Sequence, residues 1–104
     1  NGVMSFKNIK KMADKTPVRI EALIESVIQA KTKTGKNKGS SYARCNLVDS
    51  NKDSIQMTIW SNVWKKLKEK GIEGKPIRAT CRVTIYKGMS TLVLDTIEQI
   101  LDTK

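Results

Sequence analysis

From Val18 onward, apolar and polar residues change places along the chain: Val18, Ile20, Ala22 and Ile24 fall on one side, Arg19, Glu21 and Glu25 on the other. A period of two is that of a strand with one face buried. The alternation slips at Ser26-Val27-Ile28, as a bulge makes it slip, and long bulged first strands are how small barrels close on themselves. A second alternating segment, Ser40 to Asp49, sets Ala43, Cys45 and Leu47 against Tyr42, Arg44, Asn46 and Val48, and ends in the turn cluster Asp49-Ser50-Asn51-Lys52-Asp53. The third follows at once, with Ile55, Met57 and Ile59 facing in and Gln56, Thr58 and Trp60 facing out. Two such runs joined by a turn cluster predict a hairpin with a polar and aromatic outer face.

The period then changes. Val63, Trp64 and Leu67 form an apolar stripe in Ser61 to Lys70, which predicts a short helix with Ser61 as N-cap and Gly71 as its stop. A second, shorter helical pattern opens the chain, where Phe6, Ile9 and Met12 or Ala13 share a face behind Ser5 as N-cap, before Thr16-Pro17 ends it. Alternation returns from Ile77 to Ile85, with Ile77, Ala79, Cys81, Val83 and Ile85 assigned inward and Arg78, Thr80, Arg82, Thr84 and Tyr86 outward. Lys87-Gly88-Met89-Ser90 reads as a tight connection to a fifth strand, Thr91 to Ile97, with Leu92 and Leu94 inward. Five strands with one helix between the third and fourth predict an all-β fold, the five-stranded Greek-key barrel of the oligonucleotide-binding (OB) type, its open end plugged by the helix. The expected organisation is a lead-in over residues 1–15, one barrel domain over 16–101 and a short tail at 102–104.

Composition narrows the function. The chain has 104 residues, 38% hydrophobic and 29% charged, as a soluble domain does, and no apolar run is long enough for a bilayer-spanning helix. Asn1-Gly2-Val3 ahead of Met4 reads as a remnant or the cut edge of a larger chain, and no export signal precedes the first strand. The expected location is therefore cytoplasmic, away from membranes. Twenty basic residues against ten acidic give a net charge of +10, the footprint of a polyanion binder. Cys45 and Cys81 lack CxxC spacing and the chain has no histidine, so no metal-ligand set is present and the two read as reduced core thiols, with a disulfide as the alternative. Without histidine, paired carboxylates at recognisable spacing or a phosphate-loop motif, acid–base and nucleophilic schemes lack their parts, and neither an enzyme nor a cofactor is expected.

The strongest local signal is Lys31-Thr32-Lys33-Thr34-Gly35-Lys36-Asn37-Lys38-Gly39, a glycine-bearing loop with four lysines and no acid. It is suited to wrap a phosphate backbone, and the outward side chains of the next two strands supply flat or hydrogen-bonding groups for unstacked bases. The candidate nucleic-acid-binding residues are Lys31, Lys33, Lys36 and Lys38 from the loop; Tyr42, Arg44, Asn46, Gln56, Thr58 and Trp60 from the face; and Arg78, Arg82, Tyr86 and Lys87 from the fourth strand and its turn. Trp60 has two readings, a stacking platform or a ring folded under the helix, whereas Trp64 belongs to the core. The lysines at 65, 66, 68 and 70 read as a solvated helix face. Single-stranded DNA bound with little sequence specificity, in replication, repair or mobile-element biology, is the first expectation. An RNA or tRNA module and a protein-interaction barrel are the alternatives.

With Thr34-Gly35-Lys36, Tyr42 to Asp49 ending Asn-Leu-Val-Asp, and Ile55 to Trp60, the chain resembles the anticodon-binding-like OB domains. These occur in bacterial replicative DNA polymerase alpha subunits, class II aminoacyl-tRNA synthetases and related single-strand-binding modules. The resemblance spans roughly Thr16 to Ile100. It implies that Leu47, Asp49, Trp60 and Trp64 occupy the family's leucine, acidic and two aromatic positions. Arg44 stands where synthetase domains tend to carry an aromatic, and no synthetase catalytic domain accompanies it, so the resemblance implies single-stranded DNA ahead of tRNA.

Overall fold

In the computed structural model, which describes residues 2–33 and 39–101, the alternating segments curl into one closed barrel. Its strands are β1 (Pro17–Lys31), β2 (Ser41–Val48), β3 (Ser54–Ile59), β4 (Pro76–Tyr86) and β5 (Met89–Ile100). Round the barrel they run β1-β2-β3-β5-β4, and β4 returns to β1. Helix α1 (Phe6–Ile9) precedes β1, and α2 (Ser61–Leu67) runs into a 3-10 turn, Lys68–Lys70, between β3 and β4. All neighbouring pairs are antiparallel except β3 with β5.

The bulge sits where the alternation slips. β1 pairs with β4 through Pro17–Leu23 and with β2 from Leu23 onward, and the β2 register shifts between Ile24 and Ser26. One extra residue inverts the phase of the strand, so even-numbered side chains are buried up to Ile24, whereas Ile28 emerges 57% exposed. The Glu73 carboxylate accepts from the Val27 amide at 3.1 Å, just beyond the bulge.

The core is filled by the inward sides of all five strands, Ile20, Ile24, Leu47, Met57, Ile59, Ile77 and Leu92 among them. Two helical pieces close it. Trp64 of α2 is 6% exposed, and its indole N–H donates to Gln29 Oε1 at 3.0 Å. From α1, Phe6 and Ile9 are fully buried, each gaining about 1.5–3 kcal/mol from that burial. Asp49 holds α1 in place: its Oδ2 accepts from the Phe6 amide at 2.9 Å, while Oδ1 accepts from the amides of Asn51 and Asp53 at 3.0 and 3.1 Å. One carboxylate thus satisfies an orphan donor of the helix and both ends of the β2–β3 turn.

Several local expectations shift. Ser5 caps α1 as expected, its hydroxyl accepting from the Asn8 amide, but α1 is a single turn and Met12 packs beyond it. Trp60, not Ser61, is the N-cap of α2, with extended backbone and no side-chain cap bond. The alternation assigns Ile85 inward, yet it is 43% exposed, because it lies near the tip of the β4–β5 hairpin, beyond the last buried residue of β4, Val83. The connection is only Lys87-Gly88, both at positive φ (51° and 78°), with Tyr86 paired to Met89. This is the mirror-image two-residue turn that suits hairpin twist. Met89 and Ser90 therefore belong to β5, which runs on to Ile100 through two register shifts. Cys45 and Cys81 are free thiols in the core, the latter 3.9 Å from the Met57 sulfur. Burial pushes their ionisation up, to about 11 for Cys45 and about 12 for Cys81.

Candidate nucleic-acid interface

Strand register assembles the first part of the site. Ala43 pairs with Ile59 and Arg44 with Thr58, so the next outward pair along the hairpin is Tyr42 with Trp60. Their ring centroids lie 5.1 Å apart, tilted by 32°, within the range of favourable aromatic pairs. Trp60 stands where β3 gives way to α2 and is 46% exposed, so it lies outside the helix rather than beneath it. Lys31, Thr32 and Lys33, at the end of β1, join the two rings in lining a hollow of about 460 Å³. Lys36 and Lys38 lie outside the described residues.

The next row of the same face is Ile28, Arg44 and Thr58, carried on to Val93 and Arg82 across β5 and β4. Arg44 is the distinctive cation here. Of the four arginines in the chain, Arg19 is bridged to Glu98, Arg78 to Glu21 and Arg82 to Asp95. Among the described residues, Arg44 has no ion pair or hydrogen-bond partner, and it is exposed. A planar guanidinium left open beside two aromatic rings can meet a phosphate or lie on a base.

One row further, Ser26, Asn46 and Gln56 stand side by side, and the chemistry changes. The Asn46 amide donates to Glu25 Oε1 at 2.7 Å, so one of its two N–H hydrogens is taken and a carboxylate sits on the face. The remaining expected residues are elsewhere. Arg78 is held by Glu21 at 2.6 Å on β4, whose partners are β1 and β5, not the β2–β3 hairpin. Tyr86 and Lys87 form the β4–β5 tip, the Lys87 ammonium 5.4 Å from the Tyr86 ring centroid.

Trp60 also lines a second groove, of about 530 Å³, with Lys15, Asn62, Arg82, Thr84 and Asp95 around it. Sequence reasoning missed Lys15 and Asn62, since neither lies in an alternating segment. The backbone brings Lys15 in: its amide donates to the Val83 carbonyl at 2.7 Å and Asp14 Oδ1 accepts from the Ile85 amide at 2.9 Å, fastening the end of the lead-in to β4. Both hollows have volumes in the range that holds small organic ligands.

No protein family and no curated sequence matches the chain. Among solved structures it is similar to Rim1, a mitochondrial single-stranded DNA binding protein from S. cerevisiae, with a TM-score of 0.67 and 14% sequence identity over 88% of this chain and 100% of that one. The likeness is one of fold, and with the closed five-stranded barrel it makes this chain an OB-fold domain.

Proposed function

We propose that this domain binds single-stranded nucleic acid, single-stranded DNA foremost, with little sequence specificity and in the service of replication, repair or mobile-element biology. The observation that carries the reading is the outward-facing Tyr42–Trp60 pair lining one hollow with Lys31 and Lys33, with Arg44, unpaired among the described residues, in the next row of the same face. Single-strand binding needs two things, flat rings for bases and cations for phosphates, and both converge there. Rim1, of similar fold, is described as a single-stranded DNA binding protein, which favours DNA over RNA. The low specificity follows from the second row below the rings, where Asn46 and Gln56 are the two side-chain amides and Asn46 already gives one hydrogen to a carboxylate. The role is one of binding, not catalysis. Leu47, Asp49, Trp60 and Trp64 support placing the domain with the anticodon-binding-like OB group.

Fluorescence anisotropy with an unstructured DNA oligomer, the matching RNA and a hairpin duplex tests the proposal. The DNA single strand binds most tightly and the duplex least, because stacking requires bases already unpaired. Equal affinity for duplex and single strand overturns the stacking mechanism. Absence of binding to all three at physiological salt overturns the nucleic-acid reading and leaves a protein-interaction barrel.

A further inference from the structure

Two routes lead away from the Tyr42–Trp60 platform. One descends the β2–β3 face over Arg44 toward Asn46 and Gln56. The other passes across Trp60 into the groove between the start of α2 and the β4–β5 wall, where Lys15, Asn62 and Arg82 stand. We infer that the bound strand takes the second route, so that Lys15, Asn62 and Arg82 form an extension subsite for the sugar-phosphate backbone. This rests on the single-strand-binding reading above.

Three observations favour that route. Trp60 lines both hollows, so the two adjoin one ring and a strand stacked on it has the groove next to it. The charge balance differs as well. On the face, Arg44 is followed by the Glu25 carboxylate, which already holds one Asn46 amide hydrogen at 2.7 Å, so a phosphate arriving there meets an acid. In the groove, two cations stand against the single acid Asp95, and among the described residues Lys15 has no acidic partner. Finally, among the described residues the Arg82–Asp95 bridge is looser than those of Arg19 with Glu98 and Arg78 with Glu21, at 3.3 Å against 2.7 and 2.6 Å. Exposed pairs of this kind hold weakly, and a phosphate takes over the guanidinium by displacing the carboxylate.

The inference fixes the sign of two substitutions that otherwise look alike. Asp95→Asn removes the competitor in the groove and tightens binding of a long oligomer. Glu25→Gln, which removes the acid from the other route, leaves it unchanged. Lys15→Gln combined with Asn62→Ala weakens it, and the log–log salt slope falls by about 0.7 because one phosphate is no longer neutralised. The measurement is anisotropy over a salt series with oligothymidylates of about four and about twelve nucleotides, the span of single OB sites. The shorter oligomer covers the platform alone, so none of these variants changes its affinity. Tightening by Glu25→Gln but not by Asp95→Asn overturns the inference and returns the strand to the β2–β3 face. So does an unchanged salt slope in the Lys15→Gln, Asn62→Ala protein. Failure of the platform reading is distinguishable, because in that case Tyr42→Ala has no effect on either oligomer.

Discussion

Replacing Tyr42 and Trp60 singly and together tests whether the two rings act as one platform. Each base stacked on an aromatic side chain contributes about 1–3 kcal/mol, so Tyr42→Ala raises Kd by about 5- to 150-fold at 1.4 kcal/mol per decade. The rings also support each other: with centroids 5.1 Å apart the pair contributes about 0.5–1.5 kcal/mol of its own, which Tyr42→Ala removes from the stability of the free protein. Because both rings line the same hollow, the loss of one loosens the other, and the double variant loses less affinity than the two singles summed, by about 1 kcal/mol. Tyr42→Phe keeps the ring and most of the affinity. Anisotropy with a labelled oligothymidylate gives the four Kd values of the cycle. Intrinsic fluorescence gives an independent reading, since Trp64 is buried with its N–H on Gln29 and quenching on binding comes from Trp60. A folded Tyr42→Ala protein with wild-type Kd refutes the platform, and strictly additive singles refute the coupling.

Neutralising Lys31, Lys33, Lys36 and Lys38 to glutamine lowers the log–log salt slope by about 2 units if roughly three of them meet phosphates, with little change in melting temperature; parallel slopes for wild type and variant assign the loop a solvating role. Asp49→Ala leaves the buried Phe6 amide without its partner and releases the β2–β3 turn, and costs about 3 kcal/mol in urea unfolding; a loss under about 1 kcal/mol shows that α1 is held by packing alone. Both thiols ionise above their ordinary value of 9.0, near 11 and 12, so neither reacts with a thiol reagent at pH 8 in the native state. The same shifts stabilise the fold in full below about pH 9 and are lost as pH climbs toward 11 and 12, each pKa unit being worth about 1.36 kcal/mol. In Cys45→Ala and Cys81→Ala, urea unfolding across that window loses the corresponding alkaline fall, and an unaltered fall assigns it to other groups.

The barrel was legible because alternation is a local property. Each strand's period, the slip at Ser26 and the helix between the third and fourth strands can be read from a few neighbouring residues. What depended on strand register could not. Arg78 and Arg82 look like free cations until Glu21 and Asp95 are set beside them across β1 and β5. Asn46 looks like a base-reading amide until the bulge brings Glu25 to it. Asp49 lies 43 positions from Phe6, and no pattern within the β2–β3 turn announces that bond. Ile85 continues the inward phase of β4 correctly, but the strand outruns the wall that would bury it. For Trp60 the sequence left two readings, a stacking platform or a ring under the helix, and its place as the ring shared by two hollows required the approach of Lys15 and β5.

The parallel seam between β3 and β5 rests on two registered pairs, Met57 with Leu92 and Thr58 with Val93, the shortest ladder in the barrel. Parallel pairing is also the weaker kind per residue. The fold is therefore a rolled sheet kept shut by a small latch, and among its strand ladders the amides near Thr58 and Val93 are expected to exchange first. Trp60 directly follows β3, while Val93 and Leu94 line the same groove from β5. A strand seated in that groove touches both leaves of the latch at once and works as a rivet, so occupancy would be felt as slower opening of the whole barrel.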